Sequence, residues 1–258
     1  MSIPEGKRLE GTVALITGAS SGIGEAAARA LAERGAAVAL AARRVERLQA
    51  LADELTKRGG RALIIETDVT ERAQAEAAVA RAVAELGRLD TLVNNAGVML
   101  LGPIENAPVE EWDRMVRLNV QGLLYVAHAA LPHLLRAAQE GPRQVADLVN
   151  ISSVAGRVAR SGSGVYNTTK FGVVAFSESL RQEVTKRHVR VSVVEPGVVA
   201  TELQSHMREE VRQRSMQRFA EVEPMQSEDI AEAIAFIVTR PRRMSINEML
   251  IRPTEQEA

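Results

Sequence analysis

Two side chains capable of proton chemistry stand four positions apart in the segment Tyr166-Asn-Thr-Thr-Lys170. On an α-helix this spacing places a phenol and an ammonium group on one face, about one turn apart. An isolated tyrosine has a pKa of about 10 and is a poor base at neutral pH, but a fixed cation beside it favours the phenolate. The pair could therefore exchange a proton with a substrate. An ordinary surface pair on a helix has the same spacing and is the alternative.

A glycine-rich turn, Gly18-Ala-Ser-Ser-Gly22-Ile-Gly24, follows the apolar run 13–17. In such a turn Gly18 permits a tight bend, Gly22 lets a ligand approach the backbone, and Gly24 lets a helix pack closely. The free N–H groups of a helix that begins here favour a pyrophosphate. The spacing differs from the general G-x-G-x-x-G fingerprint, so a turn that only joins a strand to a helix is the alternative.

A basic pair, Arg43 and Arg44, ends the second apolar run. In dinucleotide-binding folds a carboxylate at this place bonds the adenosine 2′-hydroxyl, whereas an arginine accommodates a 2′-phosphate. Two cations without a carboxylate favour NADP over NAD, because a phosphate gains charge-assisted hydrogen bonds. Ser20 could add a hydroxyl bond. A solvated helix start is the other interpretation of the pair.

The elements that would position these groups alternate along the chain. Short β-branched runs are followed by longer segments rich in Ala, Leu, Glu and Arg, which predicts repeated βαβ units. We expect one Rossmann-type, doubly wound α/β fold: a seven-stranded parallel sheet with helices on both faces. The predicted strands are 13–17, 37–41, 62–67, 91–94, 145–152, 189–195 and 249–252, and the predicted helices are 23–34, 45–58, 71–86, 108–138 with a kink at Pro132, 165–186 and 227–239.

Composition narrows the function classes. The 258 residues are 46% hydrophobic and 25% charged, with a formal net charge of -1, as in an ordinary soluble globular protein. The balanced charge and 3% aromatic residues disfavour a nucleic-acid partner. Because there is no cysteine, a thiolate zinc site and a cysteine nucleophile are excluded. The histidines His128, His133, His188 and His206 lack metal-ligand spacing, and we expect no metal.

No linker or repeat interrupts the alternation, so we expect a single domain over 1–258. The polar start resembles no secretory signal, and the longest apolar-rich run, 122–135, is too short to span a bilayer, which favours the cytoplasm. The polar stretch 202–226 does not fit the alternation. We expect it to form a lid over the active face.

Together these residues resemble the short-chain dehydrogenase/reductase family. Five segments in order carry the resemblance, which extends from about residue 11 to 253: Thr17 to Gly24, Asn94-Asn95-Ala96-Gly97, Asn119, Ser153 with Tyr166 and Lys170, and Pro196-Gly197 with Thr201. Within the family, the chain looks most like NADP-dependent clavulanate-type aldehyde reductases and related 3-hydroxy acid dehydrogenases.

The resemblance implies catalytic roles for four residues. Tyr166 would be the general acid in carbonyl reduction and the base in alcohol oxidation, with its pKa lowered by Lys170. Lys170 would also hold the nicotinamide ribose. Ser153 would polarise the substrate carbonyl; Ser152 is adjacent, and the family spacing selects Ser153. Asn119 would bend the long helix and hold a water linked to Lys170.

The resemblance also implies the cofactor contacts. Ala42 takes the place of the acidic residue found in NAD-dependent members. Asp68 and Val69 would meet the adenine, although Asp68 could instead cap the following helix. The full expected set is Gly18, Ser20, Ser21, Gly22, Ile23, Gly24, Ala42, Arg43, Arg44, Asp68, Val69, Asn95, Ala96, Gly97, Tyr166, Lys170, Pro196, Gly197, Val199 and Thr201.

The function implied is an NADP(H)-dependent carbonyl reductase or alcohol dehydrogenase for a small, mostly apolar substrate, with no nucleic acid or membrane partner. The alternatives are an NADP-dependent dehydrogenase of β-hydroxy acids and a non-catalytic NADP(H) sensor. The expected substrate lining is Val98, Met99, Leu100, Val154, Val165, Val198, Leu203 and Met207. Family members pair their long helices, so we expect a homodimer or homotetramer with Gly172, Ala175, Phe176, Ser179 and Leu180 on the paired face.

Overall fold

A computed structural model describes residues 8–218 and 221–257. The strands found in these residues are β1 (Val13–Thr17), β2 (Ala37–Ala42), β3 (Ala62–Glu66), β4 (Thr91–Asn94), β5 (Ala146–Ile151), β6 (Val189–Pro196) and β7 (Glu248–Ile251). They form one parallel sheet in the order β3-β2-β1-β4-β5-β6-β7. The strand order therefore changes direction between β1 and β4, and the connections between strands place helices on both faces of the sheet.

The α-helices of the described residues are α1 (Gly22–Glu33), α2 (Val45–Lys57), α3 (Arg72–Leu86), α4 (Val109–Val116), α5 (Leu123–Glu140), α6 (Gly164–Val184), α7 (Glu209–Arg218) and α8 (Ser227–Val238). The core on one face of the sheet contains side chains of α1, α2 and α8. The core on the other face contains side chains of α3, α5 and α6. The doubly wound α/β fold predicted from the alternation is confirmed.

Strand residues alternate between these two cores. In β1, Ala14 and Ile16 face the core under α1 and α8, whereas Val13 and Leu15 face the core under α3 and α5. Successive side chains of a strand point to opposite faces of the sheet. Both faces of this sheet are covered, so its central strands must be apolar throughout, which explains their continuous β-branched runs.

The long helix expected over 108–138 consists of three parts. A π-helical segment, Arg117–Gly122, separates α4 from α5. Asn119 lies in this segment, and its side-chain amide donates to Val98 O and accepts from Val98 N, both at 2.8 Å. A π turn is a local adjustment often found at functional sites. Pro132, where we expected a kink, lies within α5, which continues to residue 140.

The structure adds detail to the expected lid and corrects one residue of the expected subunit interface. The stretch 202–226 contains a 3₁₀ helix, Glu202–His206, as well as α7, while residues 219 and 220 lie outside the described residues. The sequence analysis expected Leu180 on the face of α6 that pairs between subunits. Leu180 is instead buried in the core between α6 and the sheet, so it is not on that face. Within the described residues, no helix is long and apolar enough to span a membrane.

Candidate active site

A cleft of about 590 Å³ opens at the carboxyl ends of the strands, where β1 and β4 lie side by side. Open α/β sheets bind ligands at such a reversal of strand order. The glycine turn, the segment after β4, the Ser153–Tyr166–Lys170 group and the turn after β6 all line this cleft. Four of the five segments singled out in the sequence therefore meet at one place, and Asn119 lies behind it.

The glycine turn forms a tight cradle at one side of the cleft. Gly18 has a φ of +67°, and a Cβ at this position would lie 2.9 Å from the side-chain nitrogen Nδ2 of Asn95. A Cβ on Gly24 would overlap the carbonyl group of Gly18, so α1 packs directly on the turn. Gly22 has a φ of +58° and begins α1 at the edge of the cleft. The backbone amides at this helix N-terminus can bind a phosphate group.

Thr17 and Asn95 hold the glycine turn against the segment after β4. The Thr17 hydroxyl accepts the backbone N–H groups of Asn95 at 3.0 Å and Ala96 at 3.1 Å. In return, the Asn95 side-chain amide donates to Thr17 O at 3.0 Å. Asn94 is turned into the core and donates to the side chain of Asn150. Asn94 therefore braces the sheet, while Asn95 shapes the cleft.

Basic and hydroxyl groups collect at one end of the cleft. The Arg44 guanidinium donates to the hydroxyl of Ser20 at 3.1 Å and to that of Ser21 at 2.7 Å. The Arg43 guanidinium lies 3.6 Å from the carboxylate of Asp68, with 66% of its side chain exposed. Ala42 at the end of β2 adds no charge. This arrangement can bind a phosphate that carries two negative charges.

Asp68 both lines this end of the cleft and forms a local turn. Its Oδ1 accepts the backbone N–H of Thr70 at 3.0 Å and the Thr70 hydroxyl at 2.8 Å. Partial burial raises the pKa of Asp68, but hydrogen bonds from Thr70 and the nearby Arg43 outweigh that effect and lower it overall. The carboxylate is therefore ionised at neutral pH. Asp68 does not cap α3, because the N-cap residue of that helix is Glu71 and the Asp68 carboxylate bonds Thr70 instead.

Ser153, Tyr166 and Lys170 converge in the middle of the cleft. Ser153 follows β5, and its hydroxyl donates to Pro196 O at 3.4 Å and lies close enough to the Tyr166 phenol to lower its pKa. The Lys170 ammonium lies 5.7 Å from the centre of the Tyr166 ring and donates to Ile151 O at 2.9 Å. The spacing predicted for one helical face is thus present on α6, with both side chains buried rather than on an exposed surface.

Burial is the largest influence on the pKa values of Tyr166 and Lys170. It raises the pKa of Tyr166 to about 12, although the hydrogen bond with Ser153 acts in the opposite direction. Burial likewise lowers the pKa of Lys170 to about 8. Desolvation of the phenolate therefore outweighs any lowering of the Tyr166 pKa by Lys170, whose ammonium donates to a backbone carbonyl. At neutral pH the site holds a neutral phenol beside an ammonium group.

The structure separates the two adjacent serines. Ser152 is buried and donates to Lys170 O at 3.0 Å, which leaves its hydroxyl committed to α6. The Ser153 hydroxyl lies near Tyr166 and accepts the backbone N–H of Ala155 at 3.1 Å. Only Ser153 is therefore placed to meet a carbonyl oxygen next to the phenol. This placement agrees with the predicted choice of Ser153.

Asn119 supports the site from behind. A Cβ on Gly97 would lie 3.2 Å from Asn119 Oδ1 and 3.9 Å from Lys170 Nζ, so the two side chains flank the same glycine. Asn119 Nδ2 also reaches the hydroxyl of Thr169 at 3.3 Å. The asparagine thereby joins Val98, which lines the cleft, to α6, which carries the phenol and the ammonium.

The apolar lining of the cleft differs from the one expected for the substrate. Five of the eight apolar residues are there: Val98, Met99, Val154, Val198 and Leu203. Leu100, Val165 and Met207 are not, because they pack into the surrounding structure instead. Polar and cationic residues join the lining, including Arg160, Ser161, Gln204, His206 and Arg214. The cleft is therefore less apolar than the sequence predicted.

The short chain dehydrogenase family matches this sequence over residues 12–212, which include the glycine turn and all four candidate catalytic positions. The chain belongs to the short chain dehydrogenase family. In addition, the motif residues that define the resemblance are those that the fold brings to the cleft. Among groups of His, Asp and Glu in the described residues, none has the geometry to hold a metal ion.

Three relatives show the range of short chain dehydrogenases that this chain is similar to. It is 40% identical over 256 residues to glycine betaine reductase ATRR of Emericella nidulans, of which it spans only 19%. It is 36% identical to uncharacterized oxidoreductase SSP1627 of Staphylococcus saprophyticus, over 95% of this chain and 96% of that protein. The closed form of a serine dehydrogenase complexed with NADP+ superposes with a TM-score of 0.87 at 34% identity, covering 96% and 97% of the two chains.

Some residues of this short chain dehydrogenase site were missed by the sequence analysis. Asn167, next to Tyr166, donates to Ala155 O at 2.7 Å and to Val158 O at 2.9 Å, and so holds the loop between Ser153 and Tyr166. Gln256 accepts the backbone N–H of Val198 at 2.9 Å and fixes the turn after β6. No motif marks either residue. Their roles depend on contacts that only the folded chain creates.

Proposed function

We propose that this chain is an NADP(H)-dependent oxidoreductase that interconverts the carbonyl and alcohol forms of a small organic substrate. The observation that carries the proposal is one continuous cleft. The neutral Tyr166 phenol lies beside Ser153 and Lys170 at its centre, and a phosphate pocket formed by Ser20, Arg43 and Arg44 lies at its end. The solved NADP+ complex of a similar serine dehydrogenase supports the same cofactor.

The residues of the chain fit this cofactor. The cradle made by Gly18 and Gly24 has no room for side chains, so it presents bare backbone to a pyrophosphate. When bound, NADPH supplies the hydride for reduction of a carbonyl carbon. Asp68, Val69 and the turn from Pro196 to Thr201 line the same cleft and are proposed to position it.

Proton transfer is proposed to belong to Tyr166. Ser153 and Tyr166 can both donate hydrogen bonds to one carbonyl oxygen, which stabilises the negative charge that develops there. With its pKa raised to about 12, the phenol holds its proton at neutral pH and can give it to the alkoxide oxygen. In the direction of oxidation the charge of Lys170 favours the phenolate. Asn119 is proposed to hold the Val98 backbone in a fixed position relative to Lys170, through its hydrogen bonds to Val98 and Thr169.

The test is oxidation of NADPH, with NADH in parallel, against a panel of aldehydes, ketones and β-keto acids, followed by the absorbance of the reduced nicotinamide. We expect turnover with NADPH. Tyr166→Phe should reduce it about 100- to 10,000-fold, the usual contribution of a general acid, with NADPH binding retained. Ser153→Ala should also lose turnover, whereas Ser152→Ala, the matched control, should mainly lower stability.

Full activity of Tyr166→Phe would contradict the proposed mechanism. An equal rate with NADH would contradict the assignment of the phosphate pocket. Tight binding of NADPH without turnover on any carbonyl would instead favour a non-catalytic sensor of NADP(H).

One observation favours a second candidate, the NADP-dependent oxidation of β-hydroxy acids. Arg160 and Arg214 line the cleft, and a carboxylate can form paired hydrogen bonds with an arginine. A serine dehydrogenase is also among the similar structures. Reduction of NADP+ with β-hydroxy acids, but not with uncharged alcohols of the same size, would support this candidate; the reverse preference would exclude it.

A further inference from the structure

A carboxylate from the lid occupies the phosphate end of the cleft. Glu202, the first residue of the 3₁₀ helix, accepts a hydrogen bond from Arg44 Nη1 at 2.8 Å and another from Arg47 Nη1 at 2.6 Å. Glu202 lines the cleft together with Ser20, Arg43 and Arg44. The two arginines come from the start of α2, whereas Glu202 follows β6, so the ion pairs join distant parts of the chain.

Each of the three nitrogens of the Arg44 guanidinium donates at least one hydrogen bond in this arrangement. Nε and Nη2 of the guanidinium bond Ser20, Nη2 also bonds Ser21, and Nη1 bonds Glu202. Serine hydroxyls can rotate and donate to a phosphate themselves, so they need not compete with one. Glu202 can only accept while ionised, and the hydrogen bonds from Arg44 and Arg47 lower its pKa to about 2. It therefore carries its charge at neutral pH and repels a second anion.

We infer that Glu202 competes with the 2′-phosphate of NADP(H) for Arg44, and thereby limits the preference of the chain for 2′-phosphorylated dinucleotides. This inference rests on the proposed use of NADP(H). NADH lacks the 2′-phosphate and does not enter the competition.

The experiment measures dissociation constants of NADPH and NADH, from the fluorescence of the bound nicotinamide, for the unmodified chain and for Glu202→Gln. The substitution keeps the size of the side chain and removes its charge. We expect the dissociation constant of NADPH to fall roughly 2- to 5-fold, the size of an exposed ion-pair effect, and that of NADH to stay the same. The gain should shrink as salt is added.

Two further variants sharpen the test. Glu210→Gln removes a carboxylate that is also on the lid but pairs with Arg208, and it should leave both dissociation constants unchanged. In an Arg44→Ala background, Glu202→Gln should have a smaller effect on NADPH binding than in the native chain, because coupling between contacting residues is lost when one is removed.

The possible outcomes test the role of Glu202 separately from the proposed use of NADP(H). If the unmodified chain binds no NADPH, both the proposed function and the role of Glu202 are wrong. If it binds NADPH but Glu202→Gln leaves that affinity unchanged, weakens it, or tightens NADPH and NADH equally, the inference alone is overturned. Weaker binding would mean that Glu202 orients Arg44 for the phosphate.

Discussion

At the scale of the residue, the buried charge of Lys170 lowers the stability of the folded protein, although its proposed function requires that charge. Its ammonium is buried beside Tyr166, and burial lowers its pKa from 10.5 to about 8. A base with a lowered pKa in the folded state destabilises the protein while it is charged. Below about pH 8 the whole cost is present. It is relieved between about pH 8 and 10.5, where the unfolded chain binds more protons than the folded one.

We therefore predict that Lys170→Met stabilises the cofactor-free protein at pH 7 while abolishing turnover. A difference of 2.5 pKa units corresponds to about 3 kcal/mol, and loss of the hydrogen bond to Ile151 O reduces the expected gain to about 1–2 kcal/mol. Urea unfolding at pH 7 and pH 10 measures it. The gain should diminish at pH 10, and a difference that is independent of pH would contradict the buried charge as its source.

At the scale of the element, the loop between Ser153 and Tyr166 is fixed from two sides. Asn167 on α6 holds its backbone, and Arg157 within it donates to Glu195 on β6 at 2.7 Å. Glu195 is fully buried, and its second oxygen has no hydrogen-bond partner among the residues that the structure describes. Arg157 also pairs with the exposed Glu248 on β7. Within the described part of the chain, the buried carboxylate is thus compensated by one arginine.

We predict that removing the arginine costs more stability than neutralising the carboxylate. Arg157→Met leaves Glu195 charged and buried without a cation, which should lower the free energy of unfolding by about 3 kcal/mol. Glu195→Gln keeps the shape and removes the charge, so it should cost less. Glu248→Gln is the control, since an exposed pair contributes about 0–1 kcal/mol. Urea denaturation of the three variants tests this order, and equal losses for Arg157→Met and Glu248→Gln would contradict it.

At the scale of the whole molecule, α4 and α6 leave an apolar strip on the surface. Phe171 on α6 is 42% exposed, and Val109 on α4 is 56% exposed. Gly172, Ala175 and Ser179 are exposed on the same helix as Phe171, and small side chains allow two helices to approach closely. These positions retain most of the face that the sequence analysis expected to pair between subunits.

We predict a homodimer or homotetramer paired through this strip. Light scattering during size-exclusion chromatography should give two or four times the mass of the chain. Phe171→Glu should lower that mass, because it places a charge in an apolar contact. Phe236→Glu, at an exposed phenylalanine of α8 on the opposite face of the sheet, should leave pairing through α6 intact. A monomer at working concentration would contradict the prediction.

The sequence alone determined the sheet, its helices and the members of the central cluster. Those features depend on local patterns: apolar runs of strand length, a glycine turn that excludes side chains, and a four-residue spacing on a helix. The choice of Ser153 over Ser152 came from the family resemblance, and in the structure the Ser152 hydroxyl bonds the α6 backbone. The ends of the helices were predicted less well. The single helix expected over 108–138 is divided by a π-helical segment, and α5 continues to Glu140, because helix ends depend on tertiary contacts.

The tertiary structure alone decided which distant groups meet. It placed Glu202 against Arg44, Glu195 against Arg157 and Asn119 against Val98, none of which shares a motif with its partner. It also decided that burial is the largest influence on the pKa of Tyr166 and raises it. Charge, desolvation and packing act through space, so sequence spacing predicts them only within a single helix or turn.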